Sequence, residues 1–132
     1  MSGPGAPAPG RRVVLVVEDD RDSRDTLREL LELEGWPVAT ARNGAEGLAR
    51  MRELKPGLVL LDLLMPGMTG VEVCRTRAAD PELRAIKVAL ITADLDLCPD
   101  LASQDLVGQL EKPIRIRDLL ELVALHCGGD AR

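Results

Sequence analysis

Much that would steer the reading of a 132-residue chain is missing from this one. No run of Lys and Arg forms a basic stripe and the formal net charge is -5, so direct nucleic-acid binding is disfavoured. No apolar stretch approaches the roughly 18 residues of a membrane span, and the N-terminus lacks the apolar core of a secretion signal. The three cysteines, Cys74, Cys98 and Cys127, are odd in number, far apart and without C-x-x-C spacing, which argues against a disulfide framework and against zinc. A cytoplasmic protein with no membrane association is therefore expected. No glycine-rich phosphate loop follows the first apolar run at Val17, which sets aside flavin and nucleotide binders.

What is present alternates short apolar runs with amphipathic stretches. A composition of 45% hydrophobic and 30% charged residues suits one soluble domain around one core. Residues 1–10 are almost wholly Gly, Pro, Ala and Ser and are expected to be a flexible tail, because they cannot bury enough apolar surface to offset ordering. Val13 to Val17 reads as a first strand ending at Glu18-Asp19-Asp20, and a helix follows over Arg21 to Glu34 with Asp20 as its cap and Gly35 as its stop. Trp36 to Thr40 is expected as a second strand, then a helix after Asn43-Gly44 with Ala45, Leu48 and Met51 inward. Leu58 to Asp62 is the third strand, Val71 to Ala78 the third helix, and Ile86 to Ile91 a fourth strand finishing at Thr92-Ala93-Asp94. A short helix over Pro99 to Leu106, a fifth strand at Gln109-Leu110-Glu111 and a last helix over Arg115 to His126 complete the pattern. In that last helix Ile116, Leu119, Leu120 and Val123 form the expected inward stripe, with Leu122 on its flank and Leu125 opposite. Such alternation implies βαβ units and an α/β, flavodoxin-like (βα)5 fold, its parallel sheet ordered 2-1-3-4-5 with helices on both faces.

That strand order gathers the polar groups that follow the strands. Glu18 and Asp19 come beside Asp62 on one side, and Thr92 and Lys112 approach it on the other. Each has a plainer explanation: acids after strands cap helices, a lysine can be surface charge, and a threonine can cap the next helix. Together they say more. Two like charges about 4 Å apart repel by roughly 4 kcal/mol at an effective dielectric of 20, so three clustered carboxylates call for a hard divalent ion such as Mg2+, with Lys112 neutralising the remainder. The pocket suits phosphoryl transfer to a carboxylate, Thr92 supplying a hydroxyl donor.

These residues resemble the receiver domain of two-component response regulators across about residues 12 to 126. The resemblance rests on Val16-Val17-Glu18-Asp19-Asp20, on Leu61-Asp62-Leu63-Leu64-Met65-Pro66-Gly67-Met68-Thr69-Gly70, on Ile91-Thr92-Ala93 and on Glu111-Lys112-Pro113. It implies a receiver over residues 11–127 with a C-terminal tail at 128–132, Asp62 as phosphoacceptor, and Mg2+ held by Glu18, Asp19, Asp62 and the Leu64 backbone carbonyl. It further implies Thr92 and Lys112 as the phosphoryl-binding hydroxyl and amine, and a cis Lys112-Pro113 bond. The phosphodonor would be a histidine kinase or histidine phosphotransfer protein. Output would pass to a downstream protein or a phosphorylation-dependent homodimer, with no enzymatic activity beyond the domain's own phosphorylation and dephosphorylation.

The chain departs from the family in its last third. Where many members carry an aromatic residue three positions before the lysine, this chain, which has neither Tyr nor Phe, has Gln109. The Thr92 to Lys112 segment is also about two residues shorter than usual, so a receiver-fold interaction module that signals without phosphorylation is the alternative. A phosphatase of the haloacid dehalogenase type needs a second acid two residues after the nucleophile, where Leu64 stands. Gln109, Leu122 and Leu125 are the expected partner surface, the two leucines because the inward stripe does not use them. No effector domain fits after His126, which is expected of a stand-alone receiver or of one domain from a larger regulator.

Overall fold

Apolar runs too short for helices become the strands, and each is stopped by a residue that leaves the sheet. The computed structural model describes residues 12–94 and 106–127. In chain order these form β1 (Val14–Val17), α1 (Arg21–Leu33), β2 (Val38–Ala41), α2 (Gly44–Leu54), β3 (Leu58–Asp62), α3 (Gly70–Ala79), β4 (Val88–Thr92), β5 (Gly108–Glu111) and α4 (Ile116–Cys127). The five strands are parallel and ordered β2-β1-β3-β4-β5, the expected flavodoxin-like sheet. Among the described residues four helices cover it. The short helix expected over Pro99 to Leu106 lies outside the described residues except for Leu106, as do both tails and Cys98.

Because successive side chains of a strand point to opposite faces, the central strands feed two separate cores. Leu15, Val17, Val59, Leu61 and Leu90 pack with Leu48, Met51 and Val73 of α2 and α3. Val14, Val16, Leu58, Leu60 and Ile91 pack with Leu27 and Leu31 of α1 and Leu119 and Val123 of α4.

Local chemistry sets the helix ends. Asp20 caps α1 by accepting from the Ser23 N–H at 2.9 Å, and Gly35 follows its C-cap with φ 88. Asn43 caps α2 in the same way, accepting from the Glu46 N–H. Thr69 and Glu72 form a reciprocal capping box at the start of α3.

Several expectations need correction. Ala45 is exposed, and the inner face of α2 is made by Gly44, Gly47, Leu48 and Met51, where a Cβ would stand 2.7 Å from Val73 at Gly44 and 3.0 Å from Val17 at Gly47. Trp36 does not begin β2, which starts at Val38; it is buried in the α1 and α4 core. Ile116 is not packed in the core but 52% exposed at the first position of α4, where it borders an open cavity against α1. Leu122 is half-buried against the core and lies over Gly108, so of the two leucines only Leu125, at 75% exposure, is left unexplained by packing.

Candidate functional site

The register of the sheet brings the polar strand ends level. Val17 pairs with Leu61, so Glu18 follows β1 beside Asp62, the last residue of β3. Asp62 pairs with Ile91 and Thr92 with Glu111, which puts Thr92 and Lys112 just beyond Asp62 on the other side. The backbone continues this order, with the Leu63 N–H donating to the Ile91 carbonyl and the Lys112 N–H to the Thr92 carbonyl, both at 2.8 Å. Alternation along the strands turns Glu18 and Asp62 to the face shared by α1 and α4.

One oxygen from each of Glu18, Asp19 and Asp62 lies within 4.8 Å of the others. Glu18 and Asp62 are buried, at 1% and 4% exposure, whereas Asp19 is open to solvent. The Lys112 ammonium bridges the buried pair, 3.0 Å from Glu18 Oε1 and 3.6 Å from Asp62 Oδ2. Burial, with the Asp62 carboxylate beside it, pushes the Glu18 carboxyl above its ordinary value, although Lys112 and the Asp20 N–H pull the other way. Burial works against the charge on Lys112, but Glu18 and Asp62 outweigh it and hold its pKa above the usual lysine value. One lysine thus faces three acids. These hard, convergent oxygens with excess negative charge fit a divalent ion of the magnesium type.

The remaining expected residues are placed unequally. The Leu64 backbone leaves β3 two residues after Asp62, its N–H donating to Asp62 Oδ1 at 3.3 Å, while its side chain is exposed. Thr92 is fully buried and its hydroxyl is engaged with its own loop, accepting from the Asp94 N–H at 3.1 Å and donating to the Asp94 carbonyl at 3.3 Å. The Lys112-Pro113 bond is cis. Gln109 is exposed on the edge strand β5, and Leu125 is exposed on α4.

Three further residues support the site or its neighbouring elements without a role legible in the sequence. Arg24, about one turn into α1, donates from Nη1 to the Glu18 carbonyl at 3.0 Å and reaches the Asp19 carbonyl at 3.4 Å. Gly70 lets α3 start against the backbone of the site: a Cβ there would stand 2.7 Å from Leu63 Cα and 2.8 Å from the Asp62 carbonyl oxygen. Arg77 is 2% exposed and donates to the Ile86 and Arg84 carbonyls, tying α3 to the turn before β4. No sequence pattern marks a buried arginine. Below Lys112, α1 and α4 leave a cavity of about 330 Å³ lined by Leu27, Leu30, Ile114, Ile116 and Leu119.

The combination defines a flavodoxin-like domain built around an acidic, cation-ready pocket at its switch point. The chain belongs to the response regulator receiver domain family, whose family model matches residues 14–124. The DNA-binding response regulator MtrA of Mycobacterium tuberculosis is 35% identical over 113 residues, 86% of this chain and 49% of that protein. The polar-differentiation response regulator DivK of Brucella anthropi is 39% identical over 80 residues, 61% of this chain and 65% of that protein. A solved response regulator receiver protein from Pseudomonas putida matches with a TM-score of 0.81 at 27% identity, over 89% of this chain and 99% of that one. The chain spans about half the length of the MtrA relatives it matches. Among the described residues no helix is long and apolar enough to cross a membrane.

Proposed function

We propose that this receiver accepts a phosphoryl group on Asp62 from a histidine kinase or histidine phosphotransfer protein and signals by protein contacts. The observation that carries the reading is the Lys112 bridge to Glu18 and Asp62 within a cluster of three acids, because one ammonium and three carboxylates converge there at one end of the sheet. Transfer forms a bond from an Asp62 carboxylate oxygen to phosphorus as the bond from phosphorus to the donor imidazole nitrogen breaks, the electron pair leaving with that nitrogen. Lys112 is already beside the reacting carboxylate and would pair with the phosphoryl oxygens. Thr92, at the end of the adjoining strand, would release Asp94 to offer its hydroxyl to the same group. Glu18, Asp19, Asp62 and the Leu64 carbonyl would hold Mg2+, which when bound offsets negative charge on the phosphoryl oxygens. The apolar cavity between α1 and α4, open beside Lys112, offers a protein donor a surface next to the reacting group.

The domain acts on no separate substrate, works in the cytoplasm and touches no nucleic acid itself; any DNA-binding, as in the relatives named for it, would belong to a separate domain. Incubation with acetyl phosphate and Mg2+, followed by intact mass measurement, should give one phosphoryl adduct. Asp62→Asn should fold normally and give none, because an amide has no anionic oxygen for attack. An undiminished adduct on that variant would remove Asp62 from its role.

A further inference from the structure

Between the sheet and the first helix, the chain carrying two of the three acids must leave β1 and turn sharply. Glu18 is anchored behind by its N–H on the Ala41 carbonyl at 3.1 Å, and Asp20 is anchored ahead by capping α1. The Asp20 N–H also donates to Glu18 Oε2 at 3.1 Å, which fixes one oxygen of that carboxylate. Asp19 lies between these anchors and is exposed. The carbonyls of Glu18 and Asp19 point back at α1, and there both meet the Arg24 guanidinium.

We propose that Arg24 is a positioning residue for the cation site: by holding the Glu18 and Asp19 carbonyls it fixes the turn in the shape that aims both carboxylates at the point Asp62 also faces. The inference rests on the functional reading above. It deepens that reading by giving the site a residue that touches neither the ion nor the phosphoryl group. Charge and geometry make opposite claims about Arg24, which makes the idea testable. A guanidinium near three carboxylates repels an incoming dication, so if Arg24 acted through charge alone its loss would tighten metal binding. If it acts by holding the turn, its loss leaves Glu18 and Asp19 to be gathered at the moment of binding, and affinity falls. Lysine keeps the charge but replaces a planar fork by a single ammonium that cannot serve both carbonyls in the same way.

The test is calorimetric titration of Mg2+ into the wild type and into Arg24→Gln, Arg24→Lys and Arg21→Gln, at fixed ionic strength. Thermal unfolding in EDTA reports each variant's stability separately. Arg21→Gln removes the same charge from the start of α1, where the side chain is 84% exposed and pairs with Asp25 at 3.7 Å. Binding should weaken about tenfold in Arg24→Gln, the size usual for groups that orient metal ligands, and by less in Arg24→Lys. In Arg21→Gln it should stay at the wild-type value or tighten. A purely structural arginine would lower the unfolding temperature and leave the constant of the folded protein unchanged, and that outcome, or a tighter constant in Arg24→Gln, overturns the inference. Should Arg24→Gln not fold, an unchanged constant in Arg24→Lys overturns it equally. A wild type that binds no Mg2+ overturns the functional reading and this inference with it.

Discussion

Removing Lys112 should destabilise the metal-free protein and make its stability unusually dependent on magnesium. The ammonium lies 3.0 Å from Glu18 and 3.6 Å from Asp62. At an effective dielectric of 20 those separations correspond to gross attractions of roughly 5 kcal/mol each. Part of this is offset in the native protein by the cost of partly burying the ammonium. Deleting the cation leaves the acids behind: the side chains of Glu18 and Asp62 are 2% and 6% exposed, so neither can turn to solvent without disturbing the strand ends. Breaking a buried pair by removing one partner costs about 3–5 kcal/mol, and the lower end applies because Glu18, already raised in pKa, can take up a proton. Lys112→Met should therefore lose about 3 kcal/mol in EDTA, or roughly 10 °C in Tm for a domain of this size. A divalent ion supplies the missing charge, so millimolar Mg2+ should return most of the loss and raise the variant's Tm by more than the wild type's. Urea unfolding followed by circular dichroism, with and without Mg2+, measures both effects. A variant as stable as the wild type in EDTA, or a deficit that magnesium leaves untouched, would refute the idea that Lys112 stands in for the ion.

Four other variants test the same structure. Glu18 has a folded pKa above its ordinary 4.5, so in metal-free solution the native state keeps a proton the unfolded chain has released; the resulting stability is present below about pH 4.5 and is lost as pH rises through the folded value. Glu18→Gln should flatten that decline in urea midpoints measured in EDTA, and an unchanged slope would show another group to be responsible. Gly70→Ala should cost about 1–3 kcal/mol and slow adduct formation, because the added Cβ meets the backbone of Asp62 and Leu63, which no rotamer change can clear; wild-type unfolding midpoints and rates would contradict this. Leu125→Ser should leave stability nearly unchanged and weaken association of the phosphorylated form, read by sedimentation. Leu122→Ser should lower stability, since Leu122 packs on the core; association by Leu125→Ser equal to wild type would remove this face from output.

The sequence alone determined the sheet. Val14–Val17 and Leu58–Asp62 are continuous apolar runs that only a sheet covered on both faces can bury, and their alternation with amphipathic stretches leaves little choice but a parallel order. The same periodicity named the acids, the lysine and the threonine, because residues that end buried strands in such a sheet must meet at one edge. Helical spacing alone, however, placed Ala45 and Ile116 inward, where tertiary contact decides otherwise. α2 approaches through Gly44 and Gly47, which carry no side chain for a hydrophobic pattern to register, and Ile116 at the start of α4 borders the open cavity against α1 and not the packed core. Only the folded chain could show Arg24 gripping two carbonyls, Gly70 pressed on the strand end, and Arg77 buried against the turn before β4. Each meets backbone atoms of a neighbouring segment, and backbone atoms are the same for every residue, so no choice of side chains at those partners records the contact.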